Sequence, residues 1–179
     1  MQIRLPTCRL LACMAVVVLA GLPRAAAADE WESCVRLSEG LAVAGCSRAI
    51  DSHQYTGRSL ARLYARRGGA YQTQGDLNRA LADFNESMRI DPTYPSAYNN
   101  RGNTWYRRGD FDRAIADYNQ AILLDPKDTK AYYNRGMALE KKRNLQAALA
   151  DFKMHSQLAP SDLDGLTAVR RVSKELSAR

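Results

Sequence analysis

The sequence predicts an all-α fold assembled from stacked helix pairs, and three observations predict it. A pattern recurs every 34 residues: Gly68, Gly102 and Gly136; Ala80, Ala114 and Ala148; Phe84, Tyr118 and Phe152; Pro92, Pro126 and Pro160. Within each copy, apolar residues fall at helical spacing in two runs split by a turn, as in YNNRGNTWYRRGDFDRAIADYNQAILLDP over 98–126. A copy of this length cannot bury a core alone, so the copies must pack on one another.

The front of the chain has a different character. Arg4 and Arg9 precede an apolar run from Leu10 to Leu22, and Ala26, Ala27 and Ala28 stand before Asp29. The run is shorter than a membrane span needs, so residues 1–28 read as a secretory signal peptide cut after Ala28. A retained membrane anchor is the rival. A lipoprotein box around Cys13 is disfavoured because the apolar run continues past it. Export to the periplasm or the outside is the expectation, with no transmembrane segment left after the leader. Loss of Arg4, Arg9 and Arg24 takes the formal charge from +7 to +4, too modest to argue for nucleic acid.

Residues 29–58 read as a degenerate helical hairpin and a polar connector. Trp31, Val35 and Leu37 belong to its first helix, Ala42, Cys46, Ala49 and Ile50 to its second, and Gly40 marks the expected turn. Cys34 and Cys46 each stand six residues from Gly40. At ~1.5 Å per residue both lie about 9 Å down their helices, at matched height. An even pair in an exported chain reads as a disulfide, contributing up to about 3 kcal/mol. Two buried free thiols are the alternative. His53 lies in the connector with no partner in sequence to suggest a metal.

Three full units follow, 59–92, 93–126 and 127–160. Leu60, Leu63, Tyr64 and Tyr71 fill the first helix of the first unit; Leu77, Ala80, Leu81, Phe84 and Met88 fill the second. Glycine and alanine at the shared positions let two backbones approach, with the aromatic between them. Asp-Pro ends the first two units, because proline lacks the donor and clashes with the preceding turn. Gly75-Asp76 and Gly109-Asp110 make the first two turns; the third has Arg143-Asn144, where asparagine is expected to take any left-handed conformation. His155 is expected to be a half-buried packing residue. Residues 161–179 form a last helix, with Ser161 and Asp164 as a capping box and Leu163, Leu166, Val169, Val172 and Leu176 as its apolar stripe.

A second ladder runs in the same register. Arg67, Arg101 and Arg135 are 34 apart, as are Asp83, Asp117 and Asp151. Each arginine lies eight residues before its turn position and each aspartate eight after. The two are therefore level on antiparallel helices, and one partly buried, structural Arg–Asp pair per unit is predicted.

The three units resemble tetratricopeptide repeats, through Tyr98, Gly102, Trp105, Gly109, Phe111, Ala114, Tyr118, Ala121 and Pro126 and their shifted copies. That resemblance implies a right-handed α-solenoid of three helix pairs with an N-terminal hairpin cap and a C-terminal capping helix. It implies a concave groove lined by first helices and used to hold extended peptides or partner helices, with no chemistry of its own. Arg66, Asn100 and Asn134 form a column in that groove, surrounded by Asn99, Asn103, Tyr106, Lys130, Tyr133 and Met137. Amides donate and accept, so they can read a peptide backbone whatever its sequence. Asn100 and Lys130 match two positions of the clamp by which some relatives hold chaperone C-termini; Ala65, Gly69 and Asn134 replace the other three. Arg62, Arg66, Arg107, Lys130 and Lys141 outnumber Glu140 near the groove, which favours an acidic or C-terminal peptide segment.

The function expected is thus a non-enzymatic protein–protein interaction scaffold, without metal or cofactor. No Gly-rich phosphate loop, nucleophile elbow or paired metal ligands occur, and His53 and His155 fall in different elements. The alternative is a nucleic-acid or anionic-surface binder using Arg107-Arg108 and Lys141-Lys142-Arg143 at helix ends. Stacking end to end into a homo-oligomer stays open.

Overall fold

The structure, a computed structural model, describes Trp31, Glu32, Cys34 and residues 39–178. The expected leader, and Val35 and Leu37 of the front hairpin, lie outside these residues. Trp31, Glu32 and Cys34 are helical. Then come α1 Glu39–Asp51, α2 Gly57–Thr73, α3 Leu77–Ile90, α4 Pro95–Arg107, α5 Phe111–Leu124, α6 Thr129–Lys141, α7 Leu145–Leu158 and α8 Leu163–Ser177. Gly40 is therefore inside α1 and not at a turn. Among the described residues no strand occurs, and no helix is long and apolar enough to cross a membrane.

The helices stack as an all-α solenoid. Each packs on its sequence neighbours, and the first helices α2, α4 and α6 also touch in succession, so they share one face. The core of each hairpin is one buried ring: Phe84, Tyr118 and Phe152 are all but fully enclosed, each burial stabilising by roughly 1.5–3 kcal/mol. The ring leaves no room for a side chain opposite. A Cβ at Gly102 would stand 2.6 Å from Tyr118 Cε1, and one at Gly136 would stand 2.8 Å from Phe152 Cε1. Between units, fully buried alanines (Ala97, Ala114, Ala121, Ala131, Ala138) let helices approach.

The turns share one mechanism. Gly75 and Gly109 take φ of 83° and 80°, and Asp76 and Asp110 cap the next helix by accepting from the backbone N–H of Arg79 and Arg113. In the third turn Arg143, not Asn144, holds the left-handed conformation, at φ 63°. Asn144 is needed as the N-cap, accepting from Ala147 N at 3.4 Å, and a capping residue cannot also be left-handed. The last helix is likewise capped by Asp162, which accepts from Asp164 N, and not by Ser161. Its buried stripe is Gly165, Ala168 and Val172; Leu163 and Leu166 are exposed. Gly165 brings α8 so close to α7 that an added Cβ would meet His155 Cδ2 at 2.3 Å.

Candidate functional site: the first-helix face

The Arg–Asp ladder lies between helices, away from the open face. Arg67 donates from Nε and Nη2 to the two carboxylate oxygens of Asp83 at 2.8 and 2.9 Å. Arg101 meets Asp117 at 2.8 and 2.6 Å, and Arg135 meets Asp151 at 2.7 and 2.6 Å. The aspartates are buried and the arginines about one-fifth exposed. The hydrogen-bonded carboxylates raise the Arg67 and Arg135 guanidinium groups above their ordinary value. Each arginine spends its remaining Nη1 on the preceding hairpin: Ser47 Oγ at 3.0 Å, Asn85 Oδ1 at 2.6 Å and Asn119 Oδ1 at 2.7 Å. These six residues thus tie hairpin to hairpin as well as helix to helix.

Three open hollows follow one another along the first-helix face. The front one, about 230 Å³, is lined by Trp31, Arg62, Arg66, Gly69, Tyr94 and Asn100, among others. The middle one, about 360 Å³, brings together Asn99, Asn100, Asn103, Lys130, Tyr133 and Asn134 and adds His155, Asp162 and Asp164. The rear one, about 450 Å³, holds Tyr106, Tyr133 and Met137 with Glu140, Lys141, Arg143 and Arg171. All nine groove residues named from the sequence therefore line one or another hollow.

Their hydrogen bonds differ from the expected column. Asn134 Nδ2 donates to Asn99 Oδ1 at 3.0 Å rather than stacking on Asn100. Asn99 is buried, so it holds Asn134 in place and has little surface for a ligand. Asn103 accepts from the Tyr118 hydroxyl at 2.7 Å. Burial pushes the Tyr106 and Tyr133 phenols above their usual range, so both stay neutral O–H donors at physiological pH. Tyr133 packs on Phe152 and His155, with ring centroids 5.5 and 5.2 Å away. His155 is buried, not half-buried, and only its edge reaches the middle hollow. Its Nδ1 lies 2.9 Å from the Thr129 carbonyl, which can only accept, so Nδ1 carries a proton. Its Nε2 lies 3.2 Å from Asp162 Oδ2 but off the line of a hydrogen bond.

The charge along the face is uneven. The middle hollow sets Lys130 against Asp162 and Asp164, and the rear one pairs Arg171 with Glu140 through bonds of 3.0 and 2.7 Å. The basic excess expected along the whole groove is therefore missing from the middle hollow and kept at the front and rear, where Lys141, Arg143 and Arg171 stand against Glu140. Trp31, Tyr94, His155, Asp162, Asp164 and Arg171 are not assigned to the groove by the sequence because none stands in a repeated column of first-helix positions. Among the described residues no group of three or more His, Cys, Asp or Glu side chains could hold a metal ion. The basic helix ends serve the stack: Arg107 donates to the Gln72 carbonyl, Arg108 to Asn78, and Lys142 pairs with Asp112. That leaves the nucleic-acid alternative without support.

A TPR-repeat family profile matches residues 68–109 and 102–142. Comparison with curated protein sequences finds no match. Among solved structures, the first TPR of Spaghetti (RPAP3) bound to the HSP90 peptide SRMEEVD is 27% identical, with a TM-score of 0.66, covering 69% of this chain and 98% of its own. The TPR domain of Arabidopsis OM64 is 27% identical at 0.63, covering 64% and 95%. The second TPR domain of human RPAP3, in complex with the HSP70 peptide SGPTIEEVD, is 25% identical at 0.59, covering 63% and 98%.

Proposed function

We propose that this chain, a tetratricopeptide-repeat protein across residues 68–142, holds an extended segment of another protein along the face made by α2, α4 and α6. The observation that carries this is the run of three adjoining hollows, lined by amides, phenols and cations and continuous through Asn100 and Tyr133. An extended backbone offers alternating N–H and C=O groups, and such a lining can answer both. The two RPAP3 neighbours carry chaperone peptides; the same mode, with an acidic or C-terminal segment as ligand, is proposed here. The role is a scaffold's and not a catalyst's, and its place is outside the cytosol, after removal of residues 1–28.

The test is an array of immobilised random heptapeptides probed with the protein and with Asn100→Ala/Lys130→Ala. Both side chains point into hollows without closing the core, so the variant should keep its helicity and lose bound peptides. Equal binding by the variant would remove the groove from the function. Mass spectrometry of the purified exported protein should find Asp29 at the N-terminus; a retained leader would contradict the location.

A further inference from the structure

The middle hollow has a wall that the first helices do not supply. Asp162 and Asp164 reach it from the start of the C-terminal cap, and His155 reaches it from α7. Asp162 spends Oδ1 on capping α8, accepting from Asp164 N at 2.9 Å. Its Oδ2 stands 3.2 Å from His155 Nε2 without the alignment of a hydrogen bond. The imidazole is only 4% exposed, and its Nε2 has no hydrogen-bond partner among the described residues. Gly165 presses on the same ring from α8: an added Cβ would meet Nε2 at 2.9 Å. Because Nδ1 donates to the Thr129 carbonyl at 2.9 Å, Nε2 of the neutral ring is an acceptor. A buried acceptor set against a carboxylate oxygen calls for positive charge beside it.

We propose that the middle hollow receives one basic side chain, a lysine or an arginine, of the bound segment, and that the proton on His155 decides whether Asp162 is free to take it. The proposal rests on the peptide-binding function above and adds one basic position to the segment bound. An ammonium or guanidinium carries donors alone, so it can meet Asp162 and Asp164 together. While the ring is neutral, Asp162 Oδ2 has no claim on it from His155, and the ligand's cation supplies the missing charge. When the ring takes a second proton, Nε2–H becomes a donor and a cation beside Asp162, and it competes with the ligand for that oxygen. The helices packed against α7 are α6 and α8. The charged and titratable groups they bring to His155 are Lys130 and Tyr133 from α6, and Asp162 and Asp164 from the start of α8. Lys130 is the one cation of the four, and the two carboxylates outnumber it.

The experiment prints random heptapeptides that contain no histidine, so that the ligands do not titrate. It probes them with the protein and with Asp162→Asn/Asp164→Asn at about pH 8 and about pH 5.5, the range over which histidine changes charge. Asparagine caps a helix as well as aspartate does, so the variant should keep its circular dichroism. At the higher pH the protein should enrich peptides carrying lysine or arginine by about tenfold, the low end for a charge-assisted hydrogen bond. At the lower pH that enrichment should fall several-fold, and the double variant should show none at either pH. Peptides bound at the higher pH without basic enrichment, or enrichment that survives the double variant, would overturn the subsite and leave the groove standing. Enrichment lost in the variant but equal at the two pH values would overturn the part given to His155. No bound peptide at all would overturn groove and subsite together.

Discussion

Arg101 and Asp117 stand on antiparallel helices 16 positions apart and meet through two parallel hydrogen bonds of 2.8 and 2.6 Å. The carboxylate is almost enclosed, whereas the guanidinium keeps about a quarter of its side-chain surface in water. Removing one partner is then worse than removing both. Asp117→Ala should cost about 3 kcal/mol, because it strands a cation and the Asn85 contact cannot replace a charge. Arg101→Leu/Asp117→Leu should cost much less. Chemical denaturation of the three proteins compares them; an Asp117→Ala midpoint equal to wild type would mean that water already screens the pair.

Arg143 occupies the turn position that glycine holds at Gly75 and Gly109. An L-residue in the left-handed region costs roughly 1–2 kcal/mol, partly offset by the greater unfolded-state freedom of glycine. The Arg143–Glu175 pair at 2.7 Å is exposed on the arginine side and adds little. Arg143→Gly should therefore raise the melting temperature slightly. A lowered one would show that the pair to α8 outweighs the backbone.

Gly102→Ala sets a methyl 2.6 Å from the Tyr118 ring, which is enclosed and cannot swing away. Overpacking of this kind costs about 1–3 kcal/mol. Gly69→Ala, one residue after the equivalent Gly68 of the preceding unit and on an open face, should keep stability or raise it by up to about 1 kcal/mol. Equal losses at the two sites would show that the ring contact is not the cause, since alanine by itself favours the helix over glycine.

Asp91 accepts from the hydroxyl and backbone N–H of Thr93 and from Arg58 Nε at 2.7 Å, and these hold its carboxyl below the ordinary value, Thr93 first. A depressed carboxylate stabilises the fold above its unfolded pKa of about 3.9 and loses that contribution as pH falls through the folded value. Asp91→Asn should accordingly melt below wild type at pH 7, and the gap should narrow as pH falls below the unfolded value of about 3.9 and through the lower folded one. A gap of constant size across that window would assign the effect to hydrogen bonding alone.

Cys34 and Cys46, 12 positions apart in sequence, close a short loop, for which reduction should lower stability by up to about 3 kcal/mol. A thiol assay on the denatured, exported protein should find none. Two thiols in non-reduced protein would mean either an open Cys34–Cys46 pair or a retained leader carrying Cys8 and Cys13, which a mass measurement separates.

The sequence by itself determined what repeats and what lies level within one hairpin. Arg67–Asp83, Arg101–Asp117 and Arg135–Asp151 follow from helix rise and a turn of known place, because both partners are counted from the same glycine. The close approach of Gly102 to Tyr118 follows likewise. What crosses from one unit to another was decided only by packing. Asn134 reaches Asn99 and not Asn100 because the rotation between α4 and α6 sets which side chains face, and no period of 34 encodes that angle. Trp31 enters the groove, and Asp162 and Asp164 temper its charge, because residues at the two ends of the stack border its hollows; their positions depend on how a cap seats, which neighbours in space fix and neighbours in sequence do not.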